Sequence, residues 1–246
     1  MNIIKSIVNR FKDTDVIYDK FSTALPVPLV VLDDFLDNDL ARSMYEESLH
    51  IPDNKWRDFT RKGSYMKECN DLMVCPQAAN FVNQIHSAEG MKWLSEVSGI
   101  PGLIPDPYLT GAGYARSFNG DSLKVHTDFN WNDRLRLHRE LSLIVYLTPD
   151  WNPEYGGALD FYDFEKKDIV KSVDSVFNRC ILWKYHKKGF HGYDNPINCP
   201  EDVSRSNIRL FFYSSSSEYD PLDRPHRSLY WYNNDLQEPY DIPSKK

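Results

Sequence analysis

His126 and Asp128, in Lys124-Val-His-Thr-Asp-Phe-Asn-Trp131, and His191, in Gly189-Phe-His-Gly192, are the residues of this chain best suited to chemistry. Two imidazoles and one carboxylate can occupy one face of an octahedral Fe(II) and leave the opposite face open to a cosubstrate and O2. Alternate side chains of a strand share a face, so a His-x-Asp spacing turns His126 and Asp128 the same way. His191 must then arrive on a second strand rolled alongside. A His-x-Asp pair alone is a weak motif. The remaining histidines, His50, His86, His138, His186 and His226, fall at helix ends, in charged turns or in the tail and are expected at the surface.

A cosubstrate that chelates iron at one end and carries a free carboxylate at the other needs a planar, two-pronged cation. Arg205, in Ser204-Arg-Ser-Asn-Ile-Arg-Leu-Phe-Phe-Tyr213, opens a strand-like run after His191. Arg209 lies on the same strand face and is the competing candidate.

These residues need a scaffold. Ile3, Ile4, Ile7, Val8 and Phe11 recur at helical spacing, which predicts a short docked helix. Pro26 to Leu32 reads as an edge strand. A helix through Leu40, Met44 and Leu49 follows, capped by Asp37 or Asn38. Residues 51–74 are polar and mixed, with a turn at Lys62-Gly-Ser64. Helices are predicted from Pro76 to Ile85 and from Met91 to Val97, the second stopping at Gly99. Beyond about residue 108 short β-rich segments alternate with turns: Ser122–His126, Leu141–Leu147, Ala158–Tyr162, Asp174–Trp183 and Ile208–Ser214. The chain is therefore expected to be mainly β with N-terminal helices (α+β), with a double-stranded β-helix, or jelly-roll, core. It reads as one domain over 1–246: a helical buttress at 1–106, the core at 107–214 and a tail at 215–246 packed on the core.

With 246 residues, 41% hydrophobic and 14% aromatic, the composition is that of a folded protein. A net charge of −7 argues against a general nucleic-acid binder. Cys69, Cys75, Cys180 and Cys199 form no C-x-x-C pair and read as reduced thiols, so a cytoplasmic location is expected. The N-terminus has no secretory h-region, no stretch has the length of a membrane span, and no membrane partner is expected.

From residue 107 to 214 the sequence resembles the Fe(II)/2-oxoglutarate-dependent dioxygenase superfamily, in particular its prolyl 4-hydroxylase-like branch. The resemblance rests on an ordered set: His126-Thr-Asp128, Ile144-Val-Tyr-Leu147, Asp150-Trp151, Gly156-Gly157, Phe177 to Trp183, His191 and Arg205. A weaker echo covers Leu29 to Leu49. It implies that His126, Asp128 and His191 ligate iron, and that Arg205 and Tyr146 bind the distal carboxylate of 2-oxoglutarate. Gly156 and Gly157 are expected to turn tightly or to let backbone pass close by. The interval from His191 to Arg205 is longer than in the family. Tyr193 to Val203 is therefore expected to bulge beside the metal and to shape substrate access.

The resemblance further implies Fe(II), 2-oxoglutarate and O2 as cofactors, with ascorbate as a candidate reductant. The implied reaction hydroxylates a C–H bond, with succinate and CO2 as coproducts. The presence of Asp128 favours hydroxylation over halogenation. The substrate is a peptide, with a peptidyl proline as first candidate, or a small molecule; the oligomeric state is not legible. The alternative is a non-catalytic jelly-roll binding or sensor module that takes metal or 2-oxoglutarate without turnover. A cupin-type isomerase or hydrolase would call for a Gly-rich His-x-His cluster with a Glu, and none is present. Trp131, Trp151, Tyr155 and Tyr193 read as a groove lining or as packing residues. Arg134, Arg136 and Arg139 read as a solvated turn or short ribbon.

Overall fold

Ile3, Ile4 and Ile7 are buried along one face of α1 (Ile3–Arg10), as their spacing requires. The structure is a computed structural model that describes residues 2–215, 225–232 and 235–236. After α1 come α2 (Thr14–Ser22), β1 (Leu29–Leu32), α3 (Asn38–Leu49), β2 (Arg57–Arg61), β3 (Ser64–Cys69), α4 (Pro76–Ile85) and α5 (Ala88–Ser98). The helix ends follow local chemistry. Asp37 caps α3, accepting from the Asp39 amide at 3.1 Å, and Ser87 caps α5, which stops at Gly99 in the left-handed region. Glu47 on α3 accepts from the first amides of α4, Gln77 at 2.7 Å and Ala78 at 3.0 Å, so two helices share one carboxylate.

The β-elements continue with β4 (Ile104–Pro105), β5 (Gly113–Ser117), β6 (Leu123–Thr127), β7 (Trp131–Asn132), β8 (Leu137–Tyr146), β9 (Leu159–Tyr162), β10 (Ile169–Val173), β11 (Cys180–Lys184), β12 (His191–Tyr193), β13 (Arg205–Ser214), β14 (Leu229–Tyr232) and β15 (Asp235–Leu236). They form two antiparallel sheets. The larger runs β1-β11-β8-β13-β5-β3-β2, with β4 on β13 and β7 on β8; the smaller runs β10-β9-β12-β6-β14-β15. This is the expected jelly roll.

Side-chain alternation divides the larger sheet. Leu141, Leu143 and Val145 of β8, Leu182 of β11 and Ile208, Leu210 and Phe212 of β13 join Phe21, Phe35, Phe81, Trp93 and Val97 in the main core. The helices thus buttress the outer face. The inner face meets the smaller sheet, where Tyr146, Ile181 and Trp183 pack with Leu159 and Phe161. One face of the sheet is therefore fixed by packing, and the other is free to carry polar groups.

Several expectations change. Residues 51–74 contain the β2–β3 hairpin, turned at Lys62 and Gly63, both at positive φ. Its inner face carries Phe59, Arg61, Met66 and Glu68, a mixture that hides a strand pattern. Asp174 to Trp183 is not one strand. Residues 174–179 are a connection, in which Asn178 adopts a positive φ and its amide bonds both the N–H and the C=O of Leu36 at 2.8 and 2.9 Å. Thr14–Ser22 is helical and Gly113–Ser117 and Ile169–Val173 are strands, none of them anticipated. In the tail, Leu229 and Tyr230 pair with Thr127 and His126 of β6; Tyr240 and Ser244–Lys246 lie outside the described residues. No helix among the described residues is long and apolar enough to cross a membrane.

His86, at the end of α4, was expected at the surface, but its ring stands edge-on to Phe212 at 5.9 Å and its Nε2 is buried without a partner. Burial pushes its pKa down to about 4. The unfolded chain therefore takes up this proton near the ordinary value of 6.5, before the folded protein does. Stability contributed here is lost as pH falls through that window, by up to about 3 kcal/mol. Thermal melts at stepped pH should show His86→Leu losing less stability than wild type between pH 6.5 and 4; parallel curves would refute the assignment.

Candidate metal centre

Strands β6 and β12 pair so that His126 and His191 stand directly opposite each other, with ring centroids 4.8 Å apart. Gly192 permits the approach. A Cβ there would lie 2.5 Å from the Leu123 carbonyl oxygen, and the register slips between His191 and Tyr193. Asp128 follows the end of β6 and turns its carboxylate to both rings. Its Oδ1 is 3.7 Å from His126 Nε2 and its Oδ2 3.6 Å from His191 Nε2. The three potential ligand atoms all lie within 4.8 Å of one another.

Backbone carbonyls set the imidazole tautomers. Nδ1 of His126 lies 2.8 Å from the Lys124 oxygen, and Nδ1 of His191 lies 2.9 Å from the Gly189 oxygen. A carbonyl only accepts, so each Nδ1 carries the proton and each Nε2 turns a lone pair inward. Burial pushes the His191 pKa down to about 4, more than Asp128 raises it, so the ring is neutral at pH 7. The rings are walled by Phe161 and Trp183 around His191 and by Tyr230 stacked on His126 at 5.3 Å. Two imidazoles and a carboxylate facing one point suit a borderline divalent metal such as Fe(II).

Arg139 controls the carboxylate. Burial alone would raise the Asp128 pKa, but Arg139 and the facing imidazoles outweigh it and hold the group well below the usual range. Arg139 Nη2 donates to Asp128 Oδ2 at 2.8 Å and to Ser142 Oγ at 2.7 Å, and the guanidinium lies over the Phe211 ring at 3.5 Å. Its Nε and Nη1 have no acceptor. Sequence alternation puts Arg139 with Leu141 and Leu143 on the outer face. A bulge reverses it: the β8–β13 register slips opposite Phe212 and Tyr213, so Arg139 turns inward, 2% exposed, instead of lying in a solvated turn.

Arg205 and Tyr146 also meet. Arg205 is buried, donating through Nη2 to the Tyr146 hydroxyl at 3.1 Å and through Nε to Ser175 Oγ at 2.6 Å, with the Tyr193 ring at 4.7 Å. Gly157 makes room, since a Cβ there would lie 2.9 Å from Arg205 Cδ. Arg209 is engaged elsewhere, in an ion pair with Glu68 of β3.

The triad opens into a cleft of about 570 Å³. Its walls include Ile144, Leu159 and Trp183 near the histidines, then Arg209, Glu68, Met66 and Phe59 toward the β2–β3 hairpin. Trp131 also lines it, whereas Trp151, Tyr155 and Tyr193 do not. The Tyr193–Val203 loop was expected at the substrate entrance and is elsewhere. Tyr193, Ile197 and Cys199 pack with Trp151 in a small core, and the loop is tied to Gly120 and Asp121 through backbone bonds at Ile197. His226 also departs from expectation: it is 3% exposed, lies 2.9 Å from the Tyr185 hydroxyl and lines the cleft. The pairing of β14 with β6 draws it in, and a lone His in a tail gave no sign of that.

The β-core is similar to known proteins. Residues 112–213 match the 2OG-Fe(II) oxygenase superfamily. That match spans the strands that carry the triad, Tyr146 and Arg205. The chain is 33% identical over 133 residues to prolyl 3-hydroxylase OGFOD1 of Mus musculus, covering 52% of this chain and 22% of that protein. It is 24% identical over 219 residues to the Xenopus laevis protein of the same name, covering 82% and 38%. The chain thus spans well under half the length of these relatives. Among solved structures, a prolyl hydroxylase from Trichoplax adhaerens, in complex with a hypoxia inducible factor peptide, superposes with a TM-score of 0.62 at 17% identity, covering 85% of this chain and 92% of that one.

Arg139→Met should weaken Mn(II) binding roughly 10–100-fold, because the Asp128 carboxylate loses the donor that orients it and holds it ionised. Titration of the purified protein with Mn(II), followed by the electron paramagnetic resonance of the free ion, measures this. Unchanged affinity would show that Arg139 does not support the centre.

Proposed function

We propose that this chain is an Fe(II)- and 2-oxoglutarate-dependent dioxygenase that hydroxylates a C–H bond of a peptidyl proline, releasing succinate and CO2. The observation that carries the reading is the convergence of His126 Nε2, His191 Nε2 and the Asp128 carboxylate on one point at the end of a cleft. In this reading the three residues hold the metal. Bound there, Fe(II) supplies the O2 activation that is coupled to decarboxylation of 2-oxoglutarate and that no side chain can supply.

The chain's own residues bind, orient and exclude water. Arg205 and Tyr146 take the distal carboxylate, one by a charge-assisted bond and one by a hydroxyl. Tyr146 stays protonated, since burial raises its pKa more than Arg205 lowers it. Ile144, Leu159 and Trp183 give the reacting centre an apolar wall. The prolyl substrate is carried over from the named relatives, and the cleft beside the β2–β3 hairpin is where we place it. Ascorbate is proposed as the reductant that keeps the metal ferrous. The four cysteines are all free and buried, which suits a reducing compartment such as the cytoplasm.

Protein prepared anaerobically and supplied with Fe(II), 2-oxoglutarate, ascorbate and O2 should form succinate, faster with a proline-containing peptide that gains one oxygen atom. His126→Ala or Asp128→Ala should lower succinate formation at least about 100-fold, and Arg205→Met should raise the KM for 2-oxoglutarate about tenfold or more. Binding of metal and 2-oxoglutarate without succinate would make the chain a non-catalytic binding module. Neither binding nor succinate would end the proposal.

A further inference from the structure

The chain has a net charge of −7, yet the described walls of the cleft hold five arginines against three carboxylates, so the cleft is basic. Two of the arginines are committed deep inside, Arg139 to Asp128 and Arg209 to Glu68. Arg61 and Arg134 line the same cleft, and neither pairs with a carboxylate among the described residues. Arg134 is exposed and Arg61 half-buried, whereas the triad is buried, so these two mark the outer part of the cleft. A cleft lined by one sign of charge draws in and orients groups of the other.

Both side chains are held by the fold. Arg61 ends β2, next to the hairpin turn. That turn is tied to β6: the Tyr65 amide donates to the Ser122 oxygen at 2.9 Å, the Ser122 hydroxyl to the Gly63 oxygen at 3.2 Å and the Lys124 amide to Ser64 Oγ at 2.9 Å. Arg61 is thereby anchored to the strand that carries His126. Arg134 lies in the turn between β7 and β8. Its amide and that of Leu135 donate to Asn132 Oδ1 at 3.0 and 3.1 Å, and Asn132 Nδ2 donates to Asp106 Oδ2 at 3.0 Å. Asp106 also accepts from the amides of Tyr108 and Thr110, each at 2.8 Å. One carboxylate thus fixes both the Arg134 turn and the loop that carries Tyr108, and the Arg134 guanidinium lies over the Tyr108 ring at 3.2 Å. A guanidinium stacked by its face keeps its N–H edge for an acceptor in its own plane.

We propose that Arg61 and Arg134 make the cleft selective for an acidic peptide, their guanidinium groups meeting Asp or Glu side chains that flank the reacting residue. The planar fork of arginine suits a carboxylate, which accepts through two oxygens. The exposed Asp133, next to Arg134, turns away basic flanks less strongly than the arginines attract acidic ones, because the balance of the walls is positive. The inference rests on the proposed function, because it needs a peptide to enter this cleft.

The test is oxidation of three peptides by the full chain supplied with Fe(II), 2-oxoglutarate and O2, followed by mass spectrometry. The peptides share one proline and differ only in its flanking residues, which are glutamates, glutamines or lysines. In wild type the KM of the glutamate peptide should lie about tenfold below that of the glutamine peptide, with the lysine peptide poorest, and salt should narrow the difference. Arg61→Gln and Arg134→Gln should each raise the KM of the glutamate peptide about threefold and leave that of the glutamine peptide within about twofold. The double variant Arg61→Glu with Arg134→Glu should favour the lysine peptide; the salt dependence of wild type serves if that variant does not fold. Equal KM values for the three peptides in wild type, or a preference for acid that survives in the double variant, would overturn the inference and leave the proposed function standing. A wild-type protein that oxidises none of the three would overturn both.

Discussion

A buried carboxylate that must stay ionised is the constraint around which the site is built. Asp128 is 9% exposed, an environment that by itself favours the neutral acid. A protonated carboxyl would be a poor metal ligand. Arg139 prevents this at a cost of its own, since its guanidinium is also withdrawn from water. Part of that cost is offset by two aromatic faces, Phe129 at 4.6 Å and Phe211 at 3.5 Å. One ion pair thereby ties together Asp128, the bulge in β8 that delivers Arg139 and the aromatic wall on that side of the cleft.

The two sheets divide the labour. The larger sheet is anchored from outside by helices, which frees its inner face to hold Arg139, Arg205 and Arg209 in a fixed array. The smaller sheet contributes the opposed pair His126 and His191 and the apolar Leu159 and Phe161. The guanidinium groups therefore face the imidazoles across the barrel. Each of the three is matched at once: Arg139 by Asp128, Arg205 by Tyr146 and Ser175, Arg209 by Glu68. This pairing lets an acidic chain keep a strongly basic interior around a place for an anion.

Legibility in the sequence followed the physics of each element. His126, His191, Arg205 and Tyr146 lie on strands and Asp128 just past the end of one, and the structure brings each set together. The helices around Phe81 and Trp93 were readable because their apolar faces have the helical period. Arg139 was not, because a bulge breaks alternation at the one position where it matters. The β2–β3 hairpin was hidden for a related reason: its inward residues face a cleft and not a core, so they are mixed in polarity. The Tyr193–Val203 loop was misplaced because length alone does not say which way a loop folds. Its apolar residues Ile197 and Val203 drew it onto Trp151, behind Arg205 and away from the cleft.

The wall over His126 has a different character from the rest of the centre. Tyr230 covers that ring from β14, which among the described residues meets β6 through two registered pairs, Leu229 with Thr127 and Tyr230 with His126. The bonds between His226 and Asn130 and the packing of Trp231 on Tyr162, Phe164 and Phe190 add to that hold. Strands β9 and β12, by contrast, pair on both sides with strands other than β14. Peeling the short strap away would therefore bare the His126 imidazole while leaving β6 and β12 paired. Access to the His126 face of the triad then calls for a local opening at one edge of the smaller sheet and not for unfolding of the barrel.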